Sequence, residues 1–255
     1  MKDLLAARER FAPPPRVHVV VKKEDIDSSR LVGRVVIVLD ILFATTTIVT
    51  ALDRGAAAVI PAEDPAEARR IASAMPAGSF AIAGEDHLAA IPGFATPLPL
   101  GLTRSGGVEG KVLVYSTTNG TVALRHSQGA DVVYAAALLN VDATLDHVEL
   151  HHPGKQLVIV CAGSAGALNL EDFYAAGCFV DRLSRRLYVT RDFSDTALAA
   201  LAVFRSSGAP EALAAARVGR IVRGVGAEEE LQHAAQMDAT RVVAMMRDDR
   251  VVRVE

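Results

Sequence analysis

The chain has 255 residues and is slightly acidic, with 27 Lys and Arg against 30 Asp and Glu, a formal net charge of −3. Hydrophobic residues make up 51% and charged residues 22%, which excludes global disorder and provides for a buried core. Because the charge is nearly balanced and no block of Lys and Arg occurs, we expect no nucleic-acid partner and no membrane partner. The longest apolar runs are far shorter than the ~18 residues of a membrane span.

The chain contains two cysteines, Cys161 and Cys178, too few for a disulfide framework in a chain of this size. The charged N-terminus lacks the apolar segment of a secretory signal, and we therefore expect a cytoplasmic protein. Residues 1–16, which include three consecutive prolines, are predicted to be a lead-in, and residues 17–255 a single domain. Helix faces rich in Ala allow a homodimer.

Short β-branched runs alternate with amphipathic stretches rich in Ala, the pattern of an α/β protein. The predicted strands span residues 17–21, 35–39, 57–60, 80–83, 111–115, 132–135, 157–161, 241–245 and 250–254. The predicted helices span residues 44–54, 65–75, 120–127, 141–151, 170–185, 195–204, 210–216 and 227–236. Between residues 91 and 107, Pro and Gly are spaced as in a loop.

Most of the early strands are continuous apolar runs, which are typical of sheets covered on both faces. This pattern predicts an α/β fold, a three-layer α/β/α domain with a mixed, largely parallel sheet. The last two strands flank Asp248 and Asp249, a turn signal that predicts a hairpin. We expect this hairpin at an edge of the sheet.

Polar residues collect just after several predicted strands. In an open parallel sheet these positions share the carboxyl edge, where ligands bind. We therefore expect them to meet in one pocket, although they are far apart in the chain. The candidate site residues are Asp40, Thr45, Thr46, Glu85, Thr117, Thr118, Asn119, Gly120, Thr121, Asn140, Cys161, Gly163, Glu171 and Asp172.

Two kinds of chemistry are represented at these positions. The turn over residues 117–121 either caps the following helix or binds an anion through free amides and hydroxyls. Asp40, Glu85, Glu171 and Asp172 carry the oxygen ligands that hold Mg²⁺ beside a substrate phosphate. Taken singly, each of these acids is better explained as a helix cap or a solvated loop charge, and it is their joint placement after strands that favours a shared site.

Several better-known phosphatase and hydrolase motifs are absent from the sequence. A haloacid-dehalogenase phosphatase requires a second Asp where Leu42 stands, and a cysteine phosphatase loop requires Arg where Ala167 stands. No Gly-rich P-loop occurs, and residues 163–166 do not form a serine nucleophile elbow.

Two further groups of residues have more than one interpretation. Cys161 ends an apolar run, which favours a small core residue over a nucleophile. His147, His151 and His152 have the spacing of a helical metal pair, but the absence of a neighbouring catalytic Glu favours a solvated helix end.

Taken together and in order along the chain, the polar segments resemble the 2-phosphosulfolactate phosphatase (ComB) family. The resemblance covers roughly residues 35–195, and the combination of its later segments is specific. The segments that carry it are residues 40–52, Gly84 with Glu85, residues 117–121, Asn140, residues 161–163, residues 170–172, and Ala176 with Gly177.

The resemblance implies a ComB-like α/β/α fold and a Mg²⁺-dependent phosphatase that converts 2-phospho-3-sulfolactate to sulfolactate and phosphate. On this basis we expect Asp40, Glu85 and Asp172 to be catalytic, and Asp40, Glu85, Glu171 and Asp172 to bind the metal. The attacking group is either Asp40 or a metal-bound water. The expected substrate contacts are Thr45, Thr46, Thr117, Thr118, Asn119, Gly120, Thr121, Asn140, Cys161 and Gly163.

The sequence departs from the family pattern at three places. Phe43 stands where members typically carry Arg, and residues 94–97 replace a Gly-Asn-Ser-Pro segment. A family Asp in the late Gly-rich segment corresponds to one of the Glu residues 228–230, and Asp238 is retained later. Two alternatives follow: a relative that acts on a different small phosphate monoester, and a non-catalytic anion-binding paralogue. The candidates for a compensating cation are Arg104, Lys111, Arg125 and Arg191.

Overall fold

The computed structural model describes residues 16–104, 107–186 and 191–255. The predicted lead-in over residues 1–16 lies outside the described residues except for Arg16, which begins the first strand.

The described strands form one sheet, in the spatial order β5-β4-β6-β3-β11-β10-β7-β2-β8-β1-β9. The strands are β1 (Arg16–Val20), β2 (Val35–Leu39), β3 (Ala58–Ala62), β4 (Phe80–Asp86), β5 (Ala89–Ala90), β6 (Val112–Ser116), β7 (Val132–Ala136), β8 (Leu157–Cys161), β9 (Asp192–Phe193), β10 (Val243–Arg247) and β11 (Arg250–Val254).

Helices follow most of the strands, as the alternating sequence pattern predicts. In the described residues they are α1 (Ala44–Asp53), α2 (Pro65–Ser73), α3 (Pro99–Arg104), α4 (Gly120–His126), α5 (Val141–His151), α6 (Leu170–Arg185), α7 (Asp195–Phe204), α8 (Ala209–Ala215), α9 (Arg217–Gly224) and α10 (Glu228–Ala234).

Local sequence explains where two of these helices begin. Asp64 caps α2 by accepting the Glu67 backbone N–H at 2.7 Å, and Pro65 occupies the first turn, where its missing N–H is tolerated. Ser194 caps α7 in the same way, accepting the N–H of Ala197.

The predicted three-layer α/β/α architecture is confirmed. Strands β2, β3 and β8 are buried at every residue, which requires cover on both faces of the sheet. The ladders β1–β8, β2–β7, β2–β8, β3–β6 and β4–β6 are parallel, so the sheet is mixed and mostly parallel.

The hairpin of β10 and β11 is present, but its expected position at an edge of the sheet is wrong. The hairpin lies in the middle, where β11 pairs with β3 and β10 pairs with β7. Its tip, including Arg247 and Arg250, is exposed and gives the sequence the polar character of an edge. Ala244 and Val251 are fully buried and join the two halves of the sheet.

Two helices lie where the sequence did not indicate them. Helix α3 occupies part of the predicted loop between residues 91 and 107, and Pro99 begins it. Helix α9 contains two Gly, two Val and one Ile among its eight residues, which lowers its intrinsic helix propensity. It forms because Val218 and Val222 are buried against the protein.

The two parallel halves of the sheet run in opposite directions. Three successive antiparallel pairings, β3–β11, β11–β10 and β10–β7, reverse the strand direction between them. In a flat sheet, the carboxyl ends of β2 and β6 would therefore lie at opposite edges. Five pairing steps separate these strands, and the usual twist accumulates to roughly 100–125° over that distance. With a twist of this size, the two halves are no longer strictly opposed in direction.

Helix α1 packs against one face of the twisted sheet and is buried at nine of its ten residues. Its threonines are accommodated because their hydroxyls donate to backbone oxygens: Thr46 to Ile41 at 2.6 Å, Thr47 to Pro97 at 2.8 Å and Thr50 to Thr46 at 2.8 Å. The start of α1 thus has a fixed position directly after β2.

Candidate active site

A cavity of about 200 Å³ lies where the segments after β2, β4, β6 and β8 meet. This cavity contains residues from four of the segments that the sequence singled out. Its lining residues are Asp40, Phe43, Glu85, His87, Leu88, Thr118, Asn119, Ser164, Ala165, Asn169, Glu171, Arg217 and Val218.

Asp40 follows β2 directly and is 6% exposed. Thr45 holds its backbone, since the Asp40 N–H donates to Thr45 Oγ1 at 2.9 Å. Burial, followed by the charges of Glu85 and Glu171, raises the pKa of Asp40 to about 7, against the opposing hydrogen bonds from two backbone N–H groups. Asp40 is therefore a buried carboxyl group that titrates near neutral pH and faces other acids.

Close backbone approach explains why a glycine follows Asn119. A Cβ on Gly120 would lie 2.4 Å from Asp40 Oδ2 and 2.3 Å from the Cβ of Ala44. Gly120 therefore allows the starts of α1 and α4 to meet beside the Asp40 carboxylate.

Glu85 ties the end of β4 to the turn after β6. Its Oε1 accepts the N–H of Thr118 at 2.7 Å, and its Oε2 accepts the Thr118 hydroxyl at 3.1 Å and the N–H of Leu88 at 2.6 Å. The Thr118 hydroxyl in turn accepts the N–H of His87 at 2.7 Å. Both oxygens of Glu85 are thus engaged in positioning the cavity wall.

Glu171 and Asp172 begin α6 and differ in their contacts. Asp172 is fully buried, and its two oxygens accept the N–H groups of Ile41 at 2.9 Å and Gly163 at 3.2 Å. Glu171 lines the cavity and is 1% exposed, and its Oε2 has no hydrogen-bond partner in the described residues. Burial raises the pKa of Glu171 to about 7 and that of Asp172 well above its usual range.

Two cations that the sequence did not single out lie at this site. Lys23, in a short turn after β1, lies outside the lining residues; it donates to Asn119 Oδ1 and to Glu24 Oε1, each at 2.8 Å, and its side chain is only 13% exposed. Arg217, the first residue of α9, lines the cavity and donates to the hydroxyl of Ser164. Neither carries a sequence signal, since Lys23 belongs to an ordinary charged turn and Arg217 to a helix that the pattern missed.

Comparison with known proteins places this arrangement in a family. A sequence model of 2-phosphosulpholactate phosphatase matches residues 20–249. The chain belongs to the 2-phosphosulpholactate phosphatase family. This membership confirms the resemblance, and it confirms the predicted enzyme class, the phosphoric monoester hydrolases.

Individual relatives match over most of their length. A protein of Symbiobacterium thermophilum is 34% identical over 233 residues, 89% of this chain and 97% of the relative. One of Clostridium perfringens strain SM101 is 32% identical over 94% of this chain and 97% of the relative. One of Deinococcus radiodurans is 35% identical over 82% of this chain and 86% of the relative. Each is named a probable 2-phosphosulfolactate phosphatase.

Several candidate substrate contacts of this family member lie behind the cavity wall, outside its set of lining residues. The hydroxyls of Thr117 and Thr121 bond each other's backbone at the start of α4. After β2, the hydroxyls of Thr45 and Thr46 donate to the carbonyls of Asp40 and Ile41. The N–H of Gly163 is bound to a carboxylate. These residues shape the cavity in the described structure.

Two other candidates lie in the core. Asn140 is fully buried and bonds the N–H of Ala137 at 2.9 Å and the carbonyl of Val242 at 2.8 Å. Cys161 is fully buried at the end of β8, and burial raises the pKa of its thiol well above the usual range. The structure thus gives both a packing position away from the cavity.

The candidates for a cation that compensates for Phe43 lie elsewhere. Arg104 pairs with Glu229, Arg125 lies 3.3 Å from Asp249, and Arg191 donates to a backbone carbonyl at 3.3 Å. None of these arginines lines the described cavity, and Lys111 does not line it either; Arg217 lies there beside Phe43.

The carboxylates of the cavity determine which metal it could hold. In the described residues no group of three or more His, Cys, Asp or Glu is placed to hold a metal ion, and this includes His147, His151 and His152. Mg²⁺ is commonly held by only one or two carboxylates together with water and substrate phosphate. Asp40 and the unpartnered oxygen of Glu171 meet that requirement.

A membrane span requires about 20 consecutive apolar residues. Within the described parts of the chain, no helix combines the length and the apolar character needed to cross a bilayer.

Proposed function

We propose that this protein hydrolyses 2-phospho-3-sulfolactate to sulfolactate and phosphate with the help of Mg²⁺. The observation that carries the proposal is one cavity in which buried carboxylates face Arg217, while Lys23 is bound to Asn119 in the cavity wall. Carboxylates suit a divalent metal and a phosphoryl reaction, whereas the cations suit a substrate with several negative charges.

Asp40 and Glu171 would hold the metal. Both carboxyl groups are buried, and the Oε2 of Glu171 has no partner, so a cation would relieve a charge that is otherwise unfavourable. Bound Mg²⁺ neutralises charge that develops on the transferring phosphoryl group.

The turn after β6 would orient the phosphoryl group. Thr118 and Asn119 line the cavity, and Lys23 is held against Asn119 at 2.8 Å. Glu85 fixes this turn by accepting two hydrogen bonds from Thr118, and a third, from the N–H of Leu88, holds Glu85 to its own segment. Its proposed role is therefore to position Thr118, because positioning accounts for most of the catalysis in phosphoryl transfer.

Asp40 would act directly on the phosphoryl group. Its carboxylate either attacks phosphorus or accepts the proton of an attacking water molecule. Acid quenching during turnover of a ³²P-labelled substrate separates these routes. Labelled protein assigns the attack to Asp40, and unlabelled protein assigns it to water.

The test of the function is phosphate release from 2-phospho-3-sulfolactate by the purified protein, before and after treatment with EDTA. We expect activity that EDTA removes and Mg²⁺ restores. Glu171→Gln is the most informative variant, because the oxygen that it changes has no hydrogen bond to lose. It should fold normally and lose at least 90% of the activity.

A panel of phosphate monoesters decides among the alternatives. Turnover of another ester in preference to 2-phospho-3-sulfolactate would change the substrate within the same enzyme class. Binding of inorganic phosphate without release from any ester would indicate a non-catalytic anion-binding protein.

We also propose a cytoplasmic location. The support is that Cys161 and Cys178 are both free and buried, as expected in a reducing compartment. The homodimer stays a prediction, which the molecular mass in solution would test.

A further inference from the structure

Arg217 is held in place by two neutral side chains. Its guanidinium donates to the hydroxyl of Ser164, and that hydroxyl donates to Asn169 Oδ1 at 2.7 Å. Ser164 and Asn169 are 8% and 7% exposed, and both line the cavity. The chain of hydrogen bonds therefore fixes a cationic group against the loop after β8.

The positive charge of Arg217 has no ion pair in the described residues. The charge of Arg217 acts to lower the pKa of Glu171, but the guanidinium donates its hydrogen bond to the hydroxyl of Ser164 and not to that acid. The other arginines of α9 differ: Arg220 donates to the carbonyl of Ala215, and Arg223 lies 3.6 Å from Glu228. Arg217 alone among the three faces the cavity with its charge unpaired.

The second cation of the site belongs to a different wall. Lys23 is bound to Asn119, in the turn that the proposed function assigns to the phosphoryl group. Arg217 is bound to the loop that precedes α6. Lys23 is also paired with Glu24 at 2.8 Å, whereas Arg217 lines the cavity and has no acidic partner in the described residues, so Arg217 is the cation placed to meet a second anionic group of the ligand.

We propose that Arg217, Ser164 and Asn169 form a subsite for one of the two acidic groups of the substrate that are not transferred, the carboxylate or the sulfonate. This inference rests on the proposed function and deepens it. A guanidinium presents parallel N–H donors that match the oxygens of a carboxylate or a sulfonate. The hydroxyl of Ser164 and the amide of Asn169 add polar contacts on the same wall.

The test compares Arg217→Gln with the unchanged protein on four phosphate esters in the presence of Mg²⁺. They are 2-phospho-3-sulfolactate, 2-phospholactate, which lacks the sulfonate, 2-phosphooxyethanesulfonate, which lacks the carboxylate, and phenyl phosphate, which lacks both. We expect kcat/KM for 2-phospho-3-sulfolactate to fall about 10- to 100-fold, the usual effect of losing a charged hydrogen bond. For phenyl phosphate it should change less than about twofold.

The two intermediate esters identify the bound group. If, of these two esters, only 2-phosphooxyethanesulfonate shows a lower kcat/KM with Arg217→Gln, Arg217 binds the sulfonate. If only 2-phospholactate does, Arg217 binds the carboxylate. Arg223→Gln is the matched control, because it removes a guanidinium from the same helix outside the cavity. This variant should leave kcat/KM for all four esters unchanged.

A binding measurement separates this inference from the proposed function. Titration calorimetry with sulfolactate, which has no phosphate to release, should show at least tenfold weaker binding to Arg217→Gln. If the unchanged protein hydrolyses none of the esters but binds sulfolactate through Arg217, the proposed function fails and the subsite stands. Unchanged sulfolactate binding in Arg217→Gln, or an equal loss of activity on phenyl phosphate, would overturn the subsite.

Discussion

The backbone N–H of Ile41 donates to Asp172 Oδ1 at 2.9 Å, and so the segment after β2 is joined to the start of α6. The other oxygen of Asp172 accepts the N–H of Gly163 at 3.2 Å. One carboxylate thus holds two loops of the candidate site together, at a position with no exposure to solvent.

Asp172→Asn should destabilise the protein. The amide group of Asn would face one of the two backbone donors, and a buried unsatisfied donor costs about 1–3 kcal/mol. Urea denaturation at pH 8 measures the loss. Glu171→Gln is the neighbouring control, since its orphan oxygen receives no donor. Equal stability of the two variants would contradict the joining role of Asp172.

Sequence reasoning found the residues of the site for a reason that the structure modifies. The candidates were grouped because the strands of a parallel sheet share one carboxyl edge. The hairpin of β10 and β11 reverses the direction of one half, yet Asp40 and Gly120 still come into contact. A local pattern carries no information about which strands a C-terminal hairpin separates.

The cations show a second limit of local patterns. Because Phe43 replaces an Arg, the sequence suggested that other cations compensate for it, and Arg217 was not among those candidates. Arg217 lines the cavity from α9, a helix with low intrinsic helix propensity. Such a helix exists through tertiary burial of Val218 and Val222, which the sequence of a short segment does not reveal. The acids were easier to find, because each follows a strongly apolar strand.

The stability of the metal-free protein should fall as the pH rises. The pKa values of Asp40 and Glu171 are about 7 in the folded state, and ordinary values apply in the unfolded state. Between roughly pH 4.5 and pH 7 the folded state therefore binds more protons, and the free energy of unfolding decreases as the pH rises through that window. Above about pH 7 this contribution is constant.

Urea denaturation in EDTA from pH 5 to pH 8 checks this dependence. Asp40→Asn and Glu171→Gln should each make the free energy of unfolding fall less steeply with pH, because each removes one of the groups that titrate. The same slope in both variants and the unchanged protein would show that other groups control the stability in this range.

Mg²⁺ should reverse part of the destabilisation at high pH. Metal binding requires deprotonated carboxylates, so the increase in melting temperature on adding Mg²⁺ should be larger at pH 8 than at pH 6. Calorimetric titration with Mg²⁺ alone should show at least tenfold weaker binding to Glu171→Gln. An unchanged affinity would remove Glu171 from the metal site.

Gly120→Ala should damage both stability and activity. The added Cβ would lie 2.3 Å from the Cβ of Ala44 and 2.4 Å from Asp40 Oδ2, so α1 and α4 must separate. Such overpacking costs about 1–3 kcal/mol. Gly224→Ala is the control, because nothing lies within 4 Å of its added Cβ. If phosphate release survives in Gly120→Ala, close contact between these helix starts is not needed for the reaction.

Phe43 and Arg217 line the same cavity, which allows a guanidinium to be moved from one wall to another. In the Arg217→Gln background, Phe43→Arg should restore at least part of the kcat/KM for 2-phospho-3-sulfolactate, about tenfold for a re-formed charged hydrogen bond. Phe43→Gln in the same background provides a polar side chain without the charge and should restore nothing. Recovery with Gln as well as Arg would mean that the removal of Phe43, rather than the cation, relieves the defect. Failure of both would show that the acidic group of the substrate is reached only from the wall that carries Ser164.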